Sequence, residues 1–75
     1  MLYRVIRTEI DTVSYQRNTL VTTNDHETAL FHLMREEKKD KERYTSYPIY
    51  KLREAYVVRP DRFTTISVEI HASGR

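Results

Sequence analysis

Cysteine is absent from the sequence, and glycine, proline and long apolar runs are scarce. Without cysteine the chain has no disulfide, no iron–sulfur cluster and no thiolate zinc site, and small secreted domains usually depend on such links. The longest apolar runs, at 29–31 and 55–58, are far shorter than the roughly 20 residues of a membrane span or the about 7 of a signal-peptide core. The composition therefore predicts a cytoplasmic protein with neither a membrane span nor a signal peptide.

Residues that mark catalytic sites are also few or unsuitably spaced. The lone glycine, Gly74, cannot build a glycine-rich phosphate loop, and no serine lies in a Gly-x-Ser-x-Gly elbow. His26 and His32 are six residues apart, so they fall on different faces of a helix and do not form the i, i+4 pair of a helical metal site. The sequence predicts no catalytic residue, no metal and no cofactor, hence a protein that is not an enzyme. The roles of His26, His32 and His71 stay open.

What the sequence does contain is enough apolar material for one small domain. Its 75 residues are 39% apolar and 32% charged, with a net charge of +2, which is typical of a folded domain over 1–75 and not of a disordered chain. Residue periodicity predicts strands at about 2–13, 19–23, 47–58 and 63–71, and a helix at about 25–41. The predicted fold is α+β in the order strand–strand–helix–strand–strand, with one helix packed on a four-stranded, mainly antiparallel sheet.

The strand patterns predict which residues face the core. In the first strand Leu2, Ile6 and Ile10 share the expected core face, and Tyr3 and Val5 lie on the other, which indicates a bulge or a strand buried on both faces. The expected core residues of the third and fourth strands are Tyr50, Leu52, Tyr56 and Val58, then Ile66, Val68 and Ile70. Turns are expected at 16–18 and 59–62.

The predicted helix has an apolar first half and a charged second half. Asn24 or Thr23 is expected to cap it, because Glu27 then stands at the capping-box position after Asn24. The apolar stripe expected to pack on the sheet is Ala29, Leu30, Leu33 and Met34. Residues 35–43 include no apolar side chain, and their five bases nearly balance four acids. We therefore expect the last turns, with the Glu36–Glu37 carboxylates, to project into solvent.

Protein binding is the function that these features favour. A helix end without apolar residues, an exposed aromatic residue and a third strand rich in tyrosine and bases offer residue types that are frequent at interfaces. The predicted partner-binding residues are Phe31, Arg35, Lys38, Lys39, Lys41, Arg43, Tyr44, Tyr47, Lys51 and Arg53.

Two other kinds of partner stay open. Single-stranded nucleic acid could bind a Tyr/Arg face of the sheet, because aromatic rings stack on bases and arginine contacts phosphates. Strand parity places Lys51 and Arg53 opposite Tyr50, so the expected stacking residues are Tyr44 and Tyr47, with Tyr3 as a third candidate. Alternatively, an exposed edge strand could pair with a second copy of the chain in a homodimer.

The order of segments TLVTT (19–23), DHETA (25–29) and YPIYKLR (47–53), with a charged helix tail between the last two, resembles small accessory proteins encoded by bacteriophages. The resemblance covers about residues 19–58. It implies a protein that binds and inhibits, or otherwise modulates, a host protein in the host cytoplasm. It assigns no role to any individual residue.

Overall fold

A computed structural model describes residues 1–74 and divides them into five strands and one helix. The elements are β1 (Leu2–Ile10), β2 (Tyr15–Thr23), α1 (His26–Arg43), β3 (Ile49–Leu52), β4 (Ala55–Asp61) and β5 (Thr64–Ser73). The predicted α+β class, with one helix on an antiparallel sheet, is confirmed, although the sheet has five strands where four were predicted. In this described part of the chain, no helix combines the length and apolar character that crossing a membrane requires.

The sheet is antiparallel throughout, with the strand order β2-β1-β5-β4-β3. Its strands β1 and β5, the first and the last along the chain, pair from Leu2↔Ser73 to Ile10↔Thr65. Helix α1 follows β2 at one edge of the sheet and precedes β3 at the other. It therefore crosses the strands and covers one face, which we call the helix face; the opposite face, which we call the open face, has none of the described elements packed on it.

The hydrophobic core lies between α1 and the helix face. Its buried members are Val5, Ala29, Leu33, Tyr56, Val58 and Val68. In β5, Ile66 and Val68 are buried and Ile70 packs against the cluster, so the predicted core face of that strand is confirmed. Burying a large aliphatic side chain contributes about 1.5–3 kcal/mol, which makes these few residues the main source of stability in a domain this small.

The third predicted strand is two strands, because the chain reverses at Arg53–Glu54. The register Leu52↔Ala55 and Lys51↔Tyr56 shows a two-residue connection between β3 and β4. Directly paired residues point to the same face of a sheet, so Lys51 shares the helix face with Tyr56. Tyr50 and Leu52 accordingly lie on the open face, and their expected place in the core was wrong. Neither Arg53 nor Glu54 is a residue type that marks a turn.

Strand β1 is buried on both faces, as one of the two sequence interpretations expected. Val5 is fully buried in the core, and Tyr3 packs against it. Ile6 is buried on the open face, whereas Ile10 is exposed. The register with β2 is irregular between Val5 and Ile6, which fits the expected bulge. Taking the Leu2, Ile6 and Ile10 side as the core face was wrong, because a central strand can carry apolar residues on both faces.

The turns lie a few residues from their predicted positions. Residues 16–18 belong to β2, and the turn before it is closed by Asp11, whose Oδ1 accepts the backbone N–H groups of Val13 (2.8 Å) and Ser14 (2.7 Å). These backbone hydrogen bonds lower the pKa of Asp11 below its ordinary value. Pro60 lies inside β4, and the next turn follows Asp61, whose Oδ1 accepts the N–H of Phe63.

Helix α1 begins at His26, and its N-cap lies one residue later than the predicted Asn24. Asp25 is the N-cap, and its carboxylate accepts the backbone N–H of Glu27 and the hydroxyl of Thr28. The hydrogen bond from Thr28, with the backbone bonds, lowers the pKa of Asp25. Asn24 was the expected cap because its spacing to Glu27 matches a capping box, but with Asp25 as the N-cap Glu27 stands at the second helical position, and the charge of Asp25 suits the helix dipole. Thr23, the other expected cap, instead accepts the backbone N–H of Asp25 through Oγ1. The helix ends at Arg43, two residues beyond the prediction.

Candidate protein-binding groove

The inner side of α1, which faces the sheet, continues past its apolar residues with buried carboxylates. Asp40 is 2% exposed, and Arg7 of β1 binds it through two parallel hydrogen bonds, Nη1–Oδ2 at 2.8 Å and Nη2–Oδ1 at 3.0 Å. The hydroxyl of Tyr56 also donates to Oδ2 of Asp40. The expectation that the last turns of the helix project into solvent was therefore wrong. These turns are fixed to the sheet by a bidentate ion pair and a hydrogen bond.

This buried pairing changes how its members hold their protons. Burial lowers the pKa of Arg7, but hydrogen bonding to Asp40 and Glu9 and the charges of these carboxylates outweigh burial and leave it above its ordinary value. Burial raises the pKa of Tyr56, and its hydrogen bond to the negative Asp40 raises it further. Tyr56 thus stays neutral and remains a hydrogen-bond donor at every physiological pH. The cluster serves the fold, because its groups are each satisfied by one another.

Glu37 is the second buried carboxylate of the inner side. Its Oε2 lies 3.6 Å from Nζ of Lys41 and 3.4 Å from Nζ of Lys51 on β3, and no donor among the described residues makes a hydrogen bond to it. Its neighbour Glu36 contacts Arg7 (3.4 Å). The predicted solvated carboxylate pair is therefore bound to the sheet at Glu36 and mostly buried at Glu37.

The outer side of the same helix carries two large apolar side chains in solvent. Phe31 is 61% exposed and Met34 is 66% exposed, although Met34 was expected in the core stripe. They lie in a groove of about 530 Å³ between α1 and the side chain of Lys51 on β3. The groove is lined by Phe31, Met34, Arg35, Glu37, Lys38, Lys41 and Lys51.

The groove contains five of the ten predicted partner-binding residues. Phe31, Arg35, Lys38, Lys41 and Lys51 come together there. The structure thus gives these five one common surface, formed by the outer side of α1 and one residue of β3.

The other five predicted residues lie elsewhere. Lys39 and Arg43 line a separate cleft that includes Arg7 and Asp40. Tyr44 packs against the core, and its N–H caps the helix on the Asp40 carbonyl at 2.8 Å. The two remaining residues, Tyr47 before β3 and Arg53 in the β3–β4 turn, are exposed and outside the groove. Met34 and Glu37 are the groove residues that the sequence interpretation missed.

Histidines and carboxylates do not converge on a metal-like site within residues 1–74. His26 contacts Glu54 through Nε2 and lies 5.0 Å from the ring of Tyr3, centroid to centroid. His71 Nε2 is 2.8 Å from the carboxylate of Glu69. His32 makes an edge contact with Phe31 at 5.7 Å beside the groove. Each histidine thus has a structural neighbour that accounts for its position.

Comparisons with protein families, with curated proteins and with solved structures give no significant match for this chain. The functional argument therefore rests on the geometry of its own surfaces.

Proposed function

We propose that the chain is a non-catalytic protein-binding module whose groove accepts an acidic protein segment with an apolar anchor. The observation that carries the proposal is the pairing of two exposed apolar side chains, Phe31 and Met34, with a rim of bases in one groove. An exposed aromatic residue beside a concave surface is characteristic of interface hot spots, because burying it on binding removes a large apolar area from water.

The charges at the rim favour an acidic partner. Arg35, Lys38, Lys41 and Lys51 contribute four positive charges, and Glu37 contributes one negative charge that is buried beneath two of them. The Glu37 carboxylate attracts Lys41 and Lys51 towards the groove, where their ammonium groups lie 3.6 and 3.4 Å from its Oε2. Such a rim speeds encounter with an acidic segment and disfavours a basic one.

The phage-protein resemblance suggests where this partner would come from. If the chain is a modulator of that kind, the groove would bind a host protein, and binding itself would inhibit or redirect that protein. The resemblance thus supports a binding role without a chemical step.

The test is a capture experiment from nuclease-treated bacterial lysate, read by mass spectrometry. The groove variant Phe31→Ala with Lys38→Glu removes the aromatic anchor and reverses one rim charge. The matched control is Phe63→Ala with Arg62→Glu, because Phe63 is 62% exposed and the Arg62 guanidinium lies 5.7 Å from its ring centroid, outside the groove. Both variants change one aromatic residue and one charge on the surface.

We expect the wild-type chain and the control to recover the same protein in near-stoichiometric amount, and the groove variant to lose it. Recovery of that protein by the groove variant at the wild-type level would overturn the proposal. Loss in both variants would also contradict it, because binding would then not depend on the groove.

A further inference from the structure

The open face of the sheet is a second accessible surface, on the side opposite to α1. Cross-strand pairing defines one row that spans all five strands: Arg17, Thr8, Ser67, Val57 and Tyr50. Since neighbouring strands lie about 4.8 Å apart, this row is roughly 19 Å long. It places an arginine on β2 at one edge and an exposed tyrosine on β3 at the other, with small side chains between them.

Positive charge predominates on this face although the whole chain is nearly neutral. Arg4 and Arg17 project from β1 and β2, and Arg59 borders a depression on β4. The acidic side chain paired into the same face is Glu69, which is already in contact with His71. Most acidic residues of the chain instead belong to α1 or to the turns.

The tyrosine end of the row is concave and apolar. Tyr50 is 57% exposed and borders a shallow depression of about 250 Å³ with Leu52, Val57 and Arg59. An aromatic ring beside an apolar floor offers a stacking surface for a flat, unpaired base, and Arg59 can contact the adjoining phosphate. The sequence parity had assigned Tyr50 to the core, and the β3–β4 turn reverses that assignment.

We infer that the open face binds single-stranded nucleic acid, with the backbone running along the Arg17–Tyr50 row and a base stacked at Tyr50. This site is separate from the protein-binding groove, which lies on the helix side. Arg17 at one end of the path and Arg59 beside the other would neutralise phosphates, and the small Thr8 and Ser67 leave the middle of the path unobstructed. A duplex should bind less well, because its bases are already stacked and paired.

The test uses fluorescence anisotropy with a labelled oligo(dT) of about 15 nucleotides, a length that covers the site of one small binding domain. Two phosphate contacts, at Arg17 and Arg59, predict that affinity falls roughly sevenfold between about 50 and 200 mM salt, because each contact on a single strand contributes about −0.7 to the logarithmic slope. An unlabelled duplex of the same length should compete poorly.

Two open-face variants separate stacking from charge. Tyr50→Ala should weaken binding at least about fivefold and leave the salt slope unchanged, since stacking involves no counterion release. Arg59→Ser should weaken binding and reduce the slope by about 0.7. The matched controls are Phe31→Ala and Lys38→Ser, which remove an aromatic ring and a positive charge from the groove on the other side of the molecule.

Wild-type affinity in both open-face variants, or no measurable binding of the single strand, would overturn the inference. Loss of binding in the groove variants alone would also overturn it, because the oligonucleotide would then bind in the groove. These outcomes do not depend on whether the groove binds a protein, so the two proposals can fail separately.

Discussion

Residues 35–43 form two surfaces that have the same charged composition and different surroundings. On the inner side, Asp40 and Glu37 are buried against bases and a tyrosine of the sheet. On the outer side, Lys38 and Arg35 are exposed beside the apolar groove. The difference shows that a charged helix segment without apolar residues need not be a solvated tail, because one side can hold the fold together while the other stays free to bind.

Mutations of the charged residues on the inner side and on the outer side should therefore have different effects. Changes on the inner side should lower stability, since a buried charge that loses its partner is costly. Changes on the outer side should leave stability nearly unchanged and affect binding alone.

The largest effect is expected for Asp40→Ala, which leaves Arg7 without its bidentate partner in a mostly buried position. Breaking a buried pair in this way typically costs about 3–5 kcal/mol, so the variant should lose most of the stability of so small a domain. Urea unfolding followed by circular dichroism measures this change. A loss below about 1 kcal/mol would show that the ion pair does not anchor the helix.

Tyr56→Phe should have a smaller effect, because Asp40 keeps both hydrogen bonds from Arg7. Removing one hydrogen bond to a charged group costs about 1.5–3 kcal/mol. The same urea experiment applies, and the slope of the unfolding curve should not change, because the phenylalanine ring fills the same space. An unchanged midpoint would place the tyrosine hydroxyl outside the cluster.

The loss of folding stability at high pH should depend in part on Tyr56. The pKa of Tyr56 is raised in the folded state. The stability that its neutral hydroxyl contributes is therefore fully present below the unfolded tyrosine pKa of about 10, and it is lost as the pH rises above that value. The stability difference between wild type and Tyr56→Phe should thus shrink between about pH 9 and 11. The other tyrosines and the lysines are common to both proteins, so their titration largely cancels. A constant difference over this range would contradict the assignment.

The smallest stability effect is expected for Lys38→Glu on the outer side. An exposed charge outside any buried contact should change the free energy of unfolding by less than about 0.5 kcal/mol. Urea unfolding of this variant beside Asp40→Ala compares the two sides of one helix directly. A loss of stability comparable to that of Asp40→Ala would show that the inner and outer sides of the helix do not differ in this way.

Sequence patterns predicted much of the fold and less of the site. The fold class, the position of α1 and the core face of β5 follow from periodicity, because Ile66 and Val68 alternate cleanly with polar residues. The β3–β4 reversal was missed because Arg53 and Glu54 are not typical turn residues, and parity counted through it put Tyr50 on the wrong face.

The sequence predicted only part of the groove, because the buried stripe of α1 is charged in its second half. Ala29, Leu33, Glu37 and Asp40 form the buried stripe of α1, but its second half is charged, so the pattern indicated Met34 instead. Only the partners on the sheet, Arg7 and Tyr56, reveal that a carboxylate belongs inside. The spacing of Phe31, Met34 and Lys38 along one outer stripe was the signal that could have located the groove.

The most direct test of a binding outer side is NMR of isotope-labelled methionine methyl groups, because the chain contains two methionines in different places. Met34 lies in the groove, and Met1 precedes β1 and is also exposed. On addition of the protein recovered by capture, we predict that the Met34 signal shifts or broadens while the Met1 signal stays in place. An unmoved Met34 signal in a chain shown to be saturated with its partner would contradict the account.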